Sequence, residues 1–88
     1  MEITISLMEK EDSAKKELRE ISRNHFQYTV KRGSFNPKER FHIEDLVGEI
    51  NYILRKKDMP EIDLYASRKI LEKLTPNGKV YIPIKENR

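Results

Sequence analysis

HIEDLVGEINYILRKK, residues 42–57, is the stretch that decides how this chain is read. Ile43, Leu46, Val47, Ile50, Ile53 and Leu54 recur at steps of three and four, while Glu44, Asp45, Glu49 and Asn51 fill the other side. That is the pattern of a helix with one buried face. Its charges agree, with Glu44 and Asp45 expected in the first turn and Arg55, Lys56 and Lys57 in the last, complementing the helix dipole. Asp58-Met59-Pro60 ends it.

On the C-terminal side, Pro60 or Asp63 can start a further helix, running from about residue 61 or 64 to Leu74. Leu64, Ser67, Ile70 or Leu71, and Leu74 would face inward, leaving Tyr65, Arg68, Lys69 and Glu72 on the opposite face. Thr75-Pro76-Asn77-Gly78 reads as a turn, with proline at its second position and glycine where a positive φ is tolerated. Val80, Ile82 and Ile84 alternate as a last strand, which Pro83 confines to a sheet edge or a bulge.

On the N-terminal side, Ile3, Ile5 and Leu7 alternate with Thr4 and Ser6, the period of a half-buried strand. Residues 9–23 are rich in charge, and Ala14, Leu18 and Ile21 at steps of four and three predict a helix that stops at Asn24. Phe26, Tyr28 and Val30 predict a second strand ending at Lys31-Arg32-Gly33-Ser34. Phe35 to Arg40 is expected to return briefly as a strand before a loop. The expectation is an α+β fold of about three helices and a small three-stranded sheet, in the order strand, helix, strand, helix, helix, strand. Residues 1–88 form a single small globular domain.

The formal charge of +3 hides a segregation. Residues 23–40 carry Arg23, Lys31, Arg32, Lys38 and Arg40 against Glu39. Residues 64–88 carry Arg68, Lys69, Lys73, Lys79, Lys85 and Arg88 against Glu72 and Glu86. Both segments are thus strongly basic, and the stretches 1–22 and 41–63 are acidic. If the fold gathers the basic segments on one side, that face suits an anionic polymer.

Helix, short connection, helix, Pro-Asn-Gly turn and strand over about residues 42–84 resembles the helix-turn-helix and wing of winged-helix DNA-binding proteins. The resemblance implies a winged-helix-like C-terminal half and a role in transcription regulation. Its second helix would offer Tyr65, Arg68, Lys69 and Glu72 to the major groove, and its wing would bring Asn77 and Lys79 to the backbone. The chemistry suits that role, since arginine can pair with guanine and lysine neutralises phosphate. Two departures stand out: only Leu74 and Thr75 lie between the second helix and the turn, and the chain opens with a strand.

The reading is a non-enzymatic nucleic-acid-binding protein, with DNA favoured over RNA. Its site residues are Arg23, Lys31, Arg32, Lys38, Arg40, Tyr65, Arg68, Lys69, Lys73, Asn77 and Lys79. The alternative is a protein-interaction module, a small subunit, adaptor or inhibitor of a larger enzyme, using edge strand 80–84 for a partner or a homodimer. A third reading is a metal-free ribonuclease built on His25 or His42 with Arg32 or Arg40. No cofactor or metal-ligand set is expected. Cysteine is absent, and with no leader or long apolar run a cytoplasmic, membrane-free setting is expected.

Overall fold

The computed structural model describes residues 2–8, 17–31 and 35–85. Their elements are β1 (Glu2–Met8), β2 (Leu18–Ser22), β3 (His25–Lys31), α1 (Arg40–Lys56), α2 (Leu64–Leu71) and β4 (Lys79–Pro83). Among the described residues the fold is α+β, but with two helices on a four-stranded mixed sheet in the order strand, strand, strand, helix, helix, strand. This corrects the expectation of about three helices and three strands.

The correction lies in residues 9–23. Leu18–Ser22 is a strand, and residues 9–16 lie outside the described residues. Leu18 is buried opposite Tyr28, whereas Ile21 sits at a register shift and stays half exposed. The spacing of three that suggests a helix stripe is therefore a bulged edge strand. Asn24 stops no helix; with φ at 63° it forms the left-handed corner of the tight turn that returns the chain into β3, a conformation asparagine tolerates better than most residues.

The sheet order is β2-β3-β1-β4. β1 runs parallel to β3, setting Ile3, Ile5 and Leu7 beside Phe26, Tyr28 and Val30. It runs antiparallel to β4, with Ile3 beside Ile82 and Ile5 beside Val80. Alternation puts these side chains on one face, where Ile43, Leu46, Val47, Ile50 and Leu54 of α1 and Leu71 of α2 complete the core. Ile50 has no exposed surface, a position where truncation to alanine costs about 2–5 kcal/mol. β4 is an edge strand, as Pro83 requires, and it joins β1 in the main sheet instead of forming a separate two-stranded wing.

Three smaller corrections shape the surface. α1 begins at Arg40, so Glu44 and Asp45 fall outside its first turn, and Glu44 instead accepts from Arg40 Nε at 3.3 Å. Phe35 to Glu39 is loop and turn, not strand. α2 ends at Leu71 and leaves Leu64 at 40% exposure, outside the inward stripe. A tighter turn then carries the chain on, Lys73 N–H donating to the Ile70 carbonyl and Leu74 N–H to the Leu71 carbonyl. Leu74 is buried all the same.

The connection between the helices is clamped. Asn51 accepts from Ile62 N–H at 2.8 Å and donates to the Ile62 carbonyl at 3.1 Å. Asp63 caps α2 by accepting from Ala66 N–H at 2.9 Å. Among the described residues no helix is long and apolar enough to cross a membrane.

Candidate nucleic-acid interface

The parallel pairing of β1 with β3 leaves the C-terminal ends of both strands at one end of the sheet. There residues 35–38 meet residues 72–76 and line a groove of about 640 Å³. Leu7, Phe35, Pro37, Leu74 and Pro76 give it apolar walls, and Lys38, Lys73 and Glu72 bring charge to it. Lys38 comes from the first basic segment and Lys73 from the second. Lys38 is held by a local turn in which Asn36 Oδ1 accepts its backbone N–H at 3.0 Å, the side-chain turn that asparagine favours. Asn36 N–H in turn donates to His42 Nδ1 at 3.0 Å, which fixes this turn to the start of α1.

α2 continues the positive surface. Tyr65 is exposed, with Lys69 Nζ 4.9 Å and the Arg68 guanidinium 5.9 Å from its ring centre. Both are within cation–π range. Lys69 and Lys73 are four residues apart along this nearly continuous helical path, so the stripe leads to the groove. Among the described residues Arg40 pairs with Glu44 and Arg55 with Glu61, and His25 Nε2 lies 3.8 Å from a Glu2 carboxylate oxygen; none of these contacts engages Lys38, Arg68, Lys69 or Lys73.

The remaining residues of the expected site scatter. Arg23 sits in the β2–β3 turn, its carbonyl 2.9 Å from His25 Nδ1, beside the Glu2 end of β1 and so away from the groove. Arg40 is engaged by Glu44. Lys31 ends β3 beside Met8, near the groove end of the sheet, and Arg32 lies outside the described residues. Asn77 adjoins the groove in the turn, closed by Gly78 N–H to the Thr75 carbonyl at 2.8 Å. The positive φ there, 61°, belongs to Asn77 and not to glycine. Gly78 is needed for a different reason: a Cβ would meet Thr75 Oγ1 at 2.5 Å and the Thr75 carbonyl oxygen at 2.9 Å. Lys79 pairs with Ser6 and faces away from the helices. Arg19 and Tyr81 share that outer face, opposite Gln27 and Thr4 respectively; the strand alternation of 79–83 gave the signal for Tyr81, while Arg19 was hidden by the helical reading.

A second cavity, about 360 Å³, lies on the other side of Phe35 and is lined by Val30, Phe41, His42, Asp45, Leu46 and Glu49. Tyr28 donates to Glu49 Oε2 at 2.8 Å. Burial, reinforced by that carboxylate, raises the Tyr28 phenol well above its ordinary value. The two histidines do not meet: His25 opens β3 beside Glu2, whereas His42 shares this cavity with Val30, five residues and about 17 Å along the strand. Among the described residues no group of three His, Asp or Glu side chains could hold a metal ion. Comparison with known family models, characterised proteins and solved structures finds no match to this chain.

Proposed function

We propose that the chain is a nucleic-acid-binding protein that engages its ligand through the groove between residues 35–38 and 72–76 and along the exposed face of α2. The observation that carries this is Lys38 and Lys73, drawn from two basic segments far apart in sequence, bordering one groove. Phosphates would be neutralised by Lys38, Lys73, Lys69 and Arg68, and Tyr65 would offer a ring for stacking. Glu72 is the opposing charge and sets a limit on affinity. DNA is the first ligand to test. In the duplex version α2 would dock in a major groove, as the winged-helix resemblance implies.

The partner-binding alternative draws on β4, an edge strand with Tyr81 exposed. Titration of labelled duplex DNA, single-stranded DNA and RNA at two salt concentrations separates the readings. Nucleic-acid binding weakens with salt by about 0.9 log units per log unit of salt for each duplex phosphate neutralised and about 0.7 for a single strand. Absence of binding to all three ligands would overturn the proposal.

A further inference from the structure

We infer that the groove is a base slot and that the ligand is a single strand, an inference that rests on the nucleic-acid reading above. A duplex offers a groove-binding protein phosphates, sugars and polar base edges, with the base faces hidden in the stack. The groove asks for something else. Its floor is formed by the edges of the buried Leu7, Phe35 and Leu74 and its apolar rim by the more exposed Pro37 and Pro76, a surface that a stacked duplex could meet only with thymine methyl groups. An unstacked base meets it with its face, and its flanking phosphates fall naturally to lysines on the rim. The volume of about 640 Å³ lies inside the roughly 300–1,000 Å³ of pockets that enclose small ligands.

The surroundings fit a strand that continues beyond the slot. Tyr65 lies eight residues before Lys73, about 12 Å along the helical path, with its ring exposed and Lys69 and Arg68 beside it. A strand leaving the slot along α2 meets first Lys69 and then Tyr65, alternating cation and ring as its own phosphates and bases alternate. Glu72 beside Lys73 disfavours a second phosphate on that wall, so the slot holds one base and its nearest phosphates.

The test uses the full chain and fluorescence anisotropy with three probes of one sequence: a single-stranded DNA, the same strand made abasic throughout, and its duplex. The expected result is tighter binding of the single strand than of either other probe by about tenfold, within what loss of a base contact costs. A Pro76→Asp variant, with a carboxylate on the apolar wall, should lower that preference to what Tyr65 stacking supplies while its thermal midpoint stays near the parent's, and an unchanged preference overturns the slot. Equal affinity for the intact and abasic strands overturns the slot but leaves the nucleic-acid reading standing, as does tighter binding of the duplex. Failure of all three probes to bind overturns both.

Discussion

Phe35 stands between two cavities of opposite chemistry. On one side Lys38 and Lys73 flank apolar walls, with Glu72 the acid among the described lining residues. On the other, Asp45 and Glu49 share a smaller space with His42, and Tyr28 holds Glu49. Both are formed where loop 35–39 closes on the fold, yet lysines border the first, where they would attract a polyanion, and carboxylates line the second. Segregation of charge along the sequence thus becomes segregation across one aromatic ring.

Breaking the basic side should have the largest effect. Lys38→Ala combined with Lys73→Ala is expected to weaken nucleic-acid binding about 30-fold, at about 1 kcal/mol for each exposed phosphate contact. It should also flatten the salt dependence for a single strand by about 1.4. Equilibrium titration over a salt series checks both. An undiminished slope would mean that the lysines touch no phosphate.

The acidic side should respond in stability and not in binding. Tyr28→Phe removes one hydrogen bond to a carboxylate and is expected to cost about 1 kcal/mol in urea unfolding at neutral pH. The raised phenol pKa gives a sign as well. Above about pH 10 the unfolded chain loses this proton while the native chain keeps it, so Tyr28 makes stability fall as pH rises, and the phenylalanine variant should fall less. Parallel stability curves for the two proteins across the alkaline range would count against the buried link.

Smaller changes sharpen the contrast. Glu72→Gln should tighten binding about two- to fourfold by removing a carboxylate that lines the basic groove. Asp45→Asn should change the dissociation constant by less than about twofold, because Asp45 lines the other cavity and is not among the residues lining the groove. Isothermal titration of the two variants side by side is the check, and a larger response to Asp45 would reverse the assignment of the two cavities.

How much of this the sequence carried differs by element. α1 was legible because Ile43, Leu46, Val47, Ile50 and Leu54 are all buried and recur with the helical period. β1 and β3 were legible from strict alternation. β2 was not: as an edge strand it buries only Leu18, and its charged, bulged remainder imitates a solvated helix. The parallel pairing of β1 with β3 is a long-range choice that local periodicity does not encode. Lys38 and Lys73 could therefore be named as cationic candidates, while their meeting depends on that pairing and on the turn after α2. Arg40 illustrates the converse: it opens α1, which brings its guanidinium within reach of Glu44 four residues on.

The most direct measurement exploits the lack of native cysteine. Pro37→Cys and Thr75→Cys in one chain, which line the groove and leave Lys38 and Lys73 in place, treated with a short bismaleimide, should give an intramolecular cross-link at high yield, and saturating single-stranded DNA should suppress it. A pair that cannot be bridged, or one bridged equally well with and without DNA, would contradict the account of a shared groove occupied by nucleic acid.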